Sequence, residues 1–319
     1  MDWLGKLLLP IEWVVAWILA LFHMAFTAVG MSPTAGWTWV AAIAGLTIVV
    51  RAVLIPLFVY QIKAQRKMQL LQPEMMELQK KYKGKRDQFS RQQMAEEQQA
   101  LFKKHGTNPF ASCLPLLVQM PIFFSLFRVI RNTEGIGNGD IPPIGGLTQE
   151  LASQATHASI FGVELSDTFL QGDLGTKVLT AILIVIMGVT QFITQRQIMA
   201  KNMSEAAMNN PFMQQQKMLL YMMPIIFAVG GIYFPLGLIV YWLVSNVWTM
   251  VQQFIVIRNM PTPGSKAEKE LIARRERQGK PLPKSMQQKK VAETETKPKS
   301  GQRQQPMSKA RQKKKNKKK

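Results

Sequence analysis

Long apolar runs alternate with polar, basic stretches along this chain, and the most regular run covers residues 37–59. The segment WTWVAAIAGLTIVVRAVLIPLFV holds one charged residue, Arg51, in 23 positions. About 20 apolar residues cross a hydrocarbon core of about 30 Å, so this run predicts a membrane-spanning helix. Four further runs predict spans at residues 110–131, 177–195, 218–233 and 238–257.

The first apolar stretch lies within residues 1–36, where Glu12 and His23 interrupt a run rich in tryptophan. A secretory signal peptide is disfavoured, because only Lys6 precedes the apolar part and Asp2 cancels its charge. Tryptophan side chains favour the boundary between lipid and water. We therefore expect an interfacial helix followed by a connection, with a sixth span as the alternative.

Residues 60–109 are polar and carry 11 Lys or Arg against 5 acidic residues. Helix-forming residues fill both 61–80 and 85–104, and Gly84 supplies a turn between them. The pattern predicts a helical hairpin in water, with a thin apolar contact between its two arms. A solvated connector without a function is the alternative interpretation.

Charge fixes the predicted orientation in the membrane. Residues 132–176 contain no Lys or Arg and six acidic residues, whereas the hairpin and the loop at 196–217 are basic. Basic loops remain in the cytoplasm, so 132–176 is expected outside, the N-terminus outside and the C-terminus inside. If the first 30 residues formed a sixth span, the N-terminus would lie in the cytoplasm and the rest of the topology would be unchanged.

The C-terminal segment, residues 258–319, is predicted to be a disordered, basic cytoplasmic tail. Its last 60 residues hold 20 Lys or Arg against 5 acidic residues, within a chain of net charge +21. Such a composition cannot bury enough apolar surface to fold alone, and it suits a polyanion such as ribosomal RNA or anionic lipid. A mere topological anchor is the alternative. The candidate contacts are Lys313, Lys314, Lys315, Lys317, Lys318 and Lys319.

Arg51 is the main candidate for a functional residue. An arginine at a helix centre costs about 2.5 to 3.5 kcal/mol on insertion scales, so it needs a partner or water. The five predicted spans contain no Asp or Glu. We therefore expect a wet, positively charged cavity lined by neutral side chains, including Gln119, Gln191, Ser245 and Asn246.

Several other function classes have little support. One cysteine, Cys113, excludes an internal disulfide, and the three histidines are scattered without a metal-binding motif. The sequence therefore predicts no cofactor, no metal and no catalytic residue. A secondary transporter or channel that uses Arg51 as an anion site remains the alternative, although the chain shows no internal repeat.

Five segments together resemble the YidC/Oxa/Alb family of membrane protein insertases, from about residue 36 to residue 258. Any one of them would be suggestive, and their order and predicted topology make the resemblance specific. They are TIVVRAVLIPL at 47–57, QRKMQLLQPEMMELQKKY at 65–82, NPFASCLPLLVQMPIFFSLF at 108–127, MGVTQFITQ at 187–195 and FPLGLIVYWLVSNVWTMVQQ at 234–253.

The resemblance implies an all-α membrane protein of the bacterial cell membrane, with a five-transmembrane-helix core and a hydrophilic groove open to the cytoplasm. It assigns the groove arginine to Arg51, a groove glutamine to Gln191 and an aromatic residue to Trp242. It implies a protein that inserts nascent membrane proteins and helps them to fold, alone or with the Sec translocon. Ribosome binding through the tail is an inference for this chain, because the tail is not universal in the family.

Overall fold

The computed structural model describes residues 3–85, 87–108, 114–203, 218, 221–222, 225–226 and 228–283. These residues are mostly helical, with one two-stranded antiparallel sheet. The elements are α1 (Trp3–Ala28), α2 (Gly36–Val53), α3 (Ile55–Tyr82), α4 (Gln88–Lys104), α5 (Leu114–Gly137), α6 (Gln149–Thr156), β1 (Ser159–Ile160), β2 (Val163–Glu164), α7 (Leu174–Asn202), α8 (Leu236–Asn259) and α9 (Lys266–Arg277).

Four helices in the described residues are long and apolar enough to cross a membrane: α1, α2, α7 and α8. Helix α5, which contains most of the predicted span 110–131, is not among them and carries Arg128, Arg131 and Glu134 in its second half. In the predicted span 218–233, the described residues up to Gly231 are helical, and residues 219, 220, 223, 224 and 227 lie outside the described part. The five-span core therefore stays a prediction.

The core forms where α1, α2, α5 and α8 meet. Helix α1 packs along α2 and α5, and α8 packs along α7 and against α2. A Cβ at Gly45 of α2 would lie 2.5 Å from the Phe22 ring of α1, so glycine lets these two helices approach closely. Leu46, Leu126 and Leu238 are each at most 1% exposed in this core.

The predicted span 37–59 is not one uninterrupted helix, which corrects the sequence prediction. Helix α2 ends at Val53, and α3 begins at Ile55 after a break at Leu54. Pro56 causes the break, because its ring disfavours a regular helical turn before it and it has no N–H to donate. Arg51 thus lies in the last turn of α2, and α3 continues without a gap into the polar segment.

Helices α3 and α4 form a hairpin whose turn contains Gly84, at φ +90°. Asp87 caps the start of α4, because its carboxylate accepts a hydrogen bond from the Ser90 N–H at 2.8 Å. The first arm, Ile55–Tyr82, starts earlier than the sequence pattern indicated, since it includes the end of the predicted span.

The segment between α5 and α7 covers the first turn of α8. Residues Ala35 and Ser159 form a parallel bridge, so β1 lies beside the start of α2. The backbone N–H groups of Leu236 and Gly237 donate to the carbonyl oxygens of Asp167 at 2.9 Å and Leu165 at 2.8 Å. These bonds satisfy donors that the first turn of a helix otherwise leaves unpaired.

The prediction of a disordered tail from residue 258 is wrong for its first part, because α9 is helical from Lys266 to Arg277. The signals are local: the Glu268 N–H donates to the Ser265 hydroxyl, and the Gly264 N–H donates to the Glu268 carboxylate. The Thr262 N–H also donates to the side chain of Asn202 at 2.8 Å. Residues 284–319 lie outside the described residues.

Candidate functional site

Arg51 is half-buried, and its surroundings are aromatic and neutral. Its guanidinium carbon lies 5.6 Å from the centroid of the Phe58 ring of α3. None of the ion pairs found within the described residues involves Arg51. Its Nε atom is buried and has no hydrogen-bond partner there. The cation is thus partly covered by a π system.

Tyr241 joins Arg51 to the polar side chains of α5 and α8. The Gln119 side-chain amide donates a hydrogen bond to the Tyr241 hydroxyl, and Arg51 interacts electrostatically with the same phenol. Tyr241 is 1% exposed, and Ser245, one turn further along α8, is 4% exposed. We call Arg51, Gln119, Tyr241 and Ser245 the polar cluster.

Tyr241 is the residue that sequence reasoning passed over as a site candidate. Its stripe on α8 with Ser245 was visible in the sequence, since positions i and i+4 lie on one helix face. The sequence could not show that its hydroxyl meets Gln119, which lies 122 residues away.

Two further predicted site residues, Gln191 and Asn246, are half-buried on α7 and α8. Gln191 is half-buried on α7, four residues after buried Met187 and three before buried Thr194. Met187, Gln191 and Thr194 therefore lie on one face of α7. Helix α7 packs against α8. Asn246 is half-buried on α8, next to Ser245 in sequence.

Trp242 lies in a group of aromatic rings. It stacks on Phe123 with ring centroids 4.9 Å apart at an interplanar angle of 12°, and it meets Phe234 edge to face at 5.3 Å. Phe127 also packs against Phe234, at 5.6 Å. Such arrangements add about 0.5 to 1.5 kcal/mol per pair beyond the burial of area. The aromatic group fixes α5 against α8 beside the polar cluster.

A second charged contact lies on the opposite side of α5. Arg128 Nε lies 2.6 Å from the Glu12 carboxylate of α1, and the Glu12 side chain is 4% exposed. In the sequence, Glu12 only interrupts an apolar run. Its neighbours in that run gave no sign of a partner 116 positions away.

Two carboxylates on opposite arms hold the α3–α4 hairpin together. Glu97 of α4 contacts Lys81 Nζ at 2.5 Å and accepts a hydrogen bond from the Tyr82 hydroxyl at 2.9 Å. Glu74 of α3 lies 2.9 Å from His105 and 3.3 Å from Lys104. Hydrogen bonding to His105 lowers the pKa of Glu74, and hydrogen bonding to Lys81 lowers the pKa of Glu97.

The described residues contain no group of three or more His, Cys, Asp or Glu side chains that could hold a metal ion. The six lysines predicted to contact a polyanion, all between residues 313 and 319, lie outside the part of the chain that the structure describes. Neither the tail's contacts nor the hydration of Arg51 is therefore part of the observed geometry.

Comparison with known proteins gives the family. The sequence model of the 60Kd inner membrane protein family matches residues 30–263. A relative named membrane protein insertase YidC, from Streptomyces avermitilis, is 46% identical over 86% of this chain and 64% of its own length. Another of that name, from Tropheryma whipplei strain Twist, is 41% identical over 97% of each chain.

A crystal structure described as an active YidC insertase with the first transmembrane domain resolved is also similar. It is 23% identical, with a TM-score of 0.47, over 80% of this chain and 47% of that one. The chain thus spans less than two thirds of the Streptomyces relative and about half of the crystallised chain.

The apolar helices and the relatives together support a multi-pass protein of the bacterial inner membrane. Since the family's sequence model covers well over half of the chain, and relatives above 40% identity cover most of it, the chain belongs to the 60Kd inner membrane protein family, which includes the YidC membrane protein insertases.

Proposed function

We propose that this chain is a membrane protein insertase that receives polar segments of nascent membrane proteins beside Arg51. The observation that carries the proposal is a half-buried arginine with no carboxylate partner among the described residues. The neutral ring of Phe58 lies near it, and the Tyr241 phenol, which interacts with its charge, accepts a hydrogen bond from Gln119. No carboxylate among the described residues neutralises this cation, so it can attract an incoming acidic or polar group.

The proposed mechanism is a lowered desolvation barrier, without covalent chemistry. A polar group costs several kilocalories per mole when it enters hydrocarbon unpaired. Arg51, water and the amide of Gln119 would replace part of the lost hydration while a client's hydrophilic end moves inward. The apolar part of the client would then leave sideways along α7 and α8, which carry Gln191 and Trp242. The attraction must remain weak enough for release.

We propose the five-span topology for this function, with the hairpin and the tail in the cytoplasm and residues 132–176 outside. Charge supports it, because the hairpin and tail are basic and that loop has no Lys or Arg. Helix α2 would then run inward and present Arg51 toward the cytoplasmic side. A hydrophilic groove beside Arg51, open to the cytoplasm, is part of this proposal.

Helix α1 is proposed to lie across the outer ends of α2 and α5 instead of forming a sixth span. His23 stacks against Trp39 near the start of α2, with centroids 4.2 Å apart. About 15 Å further along α1, a Cβ at Gly145 would lie 2.6 Å from the Trp13 carbonyl oxygen. Both contacts involve residues proposed to lie at the outer side, which supports a helix running along the membrane.

The partners proposed are nascent membrane proteins, the ribosome, anionic lipids and the Sec translocon. The lysines at 313–319 would bind ribosomal RNA or lipid headgroups through their charge. The Sec translocon could receive clients jointly with this chain. These partners follow from the basic tail and the family.

Site-specific crosslinking to a stalled nascent chain tests the proposed function. A photoreactive amino acid at Gln191 or at Trp242 should crosslink to a client whose first transmembrane segment has just left the ribosome. The matched control is Val185, which is 63% exposed on α7. Equal crosslinking from all three positions, or none from Gln191 and Trp242, would contradict a client path along α7 and α8.

A further inference from the structure

A buried ion pair fastens α1 to α5 away from the polar cluster. The Glu12 side chain is 4% exposed and lies 2.6 Å from Arg128 Nε, while the Arg128 side chain is 30% exposed. Within the described residues the contacting Glu12 oxygen has no hydrogen-bond partner beside this ion-pair contact. A carboxylate buried this deeply is strongly destabilising when its partner is lost. The position of α1 on α5 therefore depends on Arg128.

Arg128 and Gln119 hold α5 from opposite sides. They are nine residues apart on one helix, and each residue turns the helix by about 100°, so the two side chains point in directions about 180° apart. Gln119 reaches Tyr241 on α8, and Arg128 reaches Glu12 on α1. Helix α5 thus has one polar contact on each side.

Pro121 lies between these two contacts, two residues after Gln119. A proline inside a helix removes one backbone hydrogen bond and makes bending easier at that point. Helix α5 nevertheless continues through Pro121 from Leu114 to Gly137. The rotation of the part that carries Arg128 is therefore passed on to the part that carries Gln119.

We propose that Glu12 and Arg128 are a positioning pair, whose ion pair sets the rotation and location of α5 and so keeps Gln119 against Tyr241. Neither residue touches the client in this proposal. The effect on client insertion rests on the proposed function, whereas the effect on α5 itself does not.

The test is hydrogen–deuterium exchange of the full chain in lipid vesicles, read on backbone amides of α5. Arg128→Gln should raise the exchange rate there by about tenfold or more, because it leaves the Glu12 carboxylate buried without this ion pair. Glu12→Gln should raise it less, because the Arg128 side chain is 30% exposed. The exchanged pair, Glu12→Arg with Arg128→Glu, should return the rate toward that of the wild type. Client insertion should fall with each single change and recover in the exchanged pair.

Two control variants remove a charge from the same helices without touching the pair. Lys6→Gln acts on an exposed residue of α1 and Glu134→Gln on an exposed residue of α5, so both should leave exchange in α5 unchanged. Unchanged exchange in Arg128→Gln would overturn the proposal, and so would an exchanged pair as disturbed as that single variant. A wild-type chain that inserts no client would refute the proposed function, and the exchange rates would still decide the role of the pair.

Discussion

Gln119 of α5 donates a hydrogen bond to the hydroxyl of Tyr241 of α8, across 122 residues of sequence. The same phenol interacts electrostatically with Arg51 of α2. The buried Tyr241 hydroxyl therefore links α5 to α8 and lies within reach of the charge of Arg51. It orients the amide that would accompany Arg51 in receiving a polar client segment.

Replacing Tyr241 by Phe should destabilise the helix bundle and weaken insertion. The change removes the acceptor for the Gln119 amide and keeps the aromatic volume. The loss of stability should be about 1 to 3 kcal/mol, the cost of leaving one buried polar group unsatisfied. Thermal unfolding of the purified chain in detergent, and insertion of an acidic-tailed client in vesicles, measure the two effects.

Tyr233→Phe is the matched control, because Tyr233 is 64% exposed. It should leave both unfolding and insertion as in the wild type. A Tyr241→Phe chain that is as stable and as active as the control would show that the hydroxyl has no part in holding Gln119.

The hairpin should come apart in acid. Its two pairing carboxylates, Glu74 and Glu97, have pKa values lowered from the ordinary 4.5 by hydrogen bonds to His105 and Lys81. A lowered pKa means that the stabilisation is fully present above about pH 4.5 and is lost as pH falls through the lowered value. Distances between spin labels on α3 and α4 should therefore stay narrow near neutral pH and broaden only as pH falls below the ordinary carboxyl value of about 4.5.

Glu97→Gln should broaden the same distances near neutral pH, because it removes the charge that pairs with Lys81. Glu77→Gln, on the exposed side of α3, should not. Narrow distances in Glu97→Gln, or at low pH in the wild type, would contradict the role given to the carboxylates.

The basic tail should bind ribosomes in a salt-dependent way. Changing the six lysines between 313 and 319 to glutamine should reduce cosedimentation at about 50 mM salt and make little difference at several hundred millimolar, because counterion release drives such binding. Changing them to arginine keeps the charge and should preserve binding. Equal cosedimentation by the glutamine and arginine variants would contradict ribosome binding through the charge of these lysines.

Local patterns carried a large part of the fold. The apolar runs predicted α2, α7 and α8, and the helix formers around Gly84 predicted the two arms of the hairpin. Pro56 is a local signal for the break after Val53. Ser265 and Glu268 are a local signal for the start of α9. These features depend on neighbours within a few residues, which a single sequence displays.

Contacts between distant segments could not be predicted in the same way. The five predicted spans hold no carboxylate for Arg51, and nothing in the sequence joins Glu12 of α1 to Arg128 of α5. Nor could it show that Trp242 stacks on Phe123 while its neighbour Tyr241 meets Gln119. Such pairings depend on how helices rotate and pack, which the periodicity of one helix leaves open.

Insertion by a chain altered at Arg51 tests the proposed function most directly. Purified wild type, Arg51→Ala and Arg51→Lys are reconstituted in vesicles, and the membrane-protected fraction of a single-span client with an acidic tail is measured. We predict that Arg51→Ala lowers this fraction strongly, that Arg51→Lys retains more of it, and that a client with an uncharged tail is affected less. An alanine variant that inserts the acidic-tailed client as well as the wild type would contradict a role for the cation.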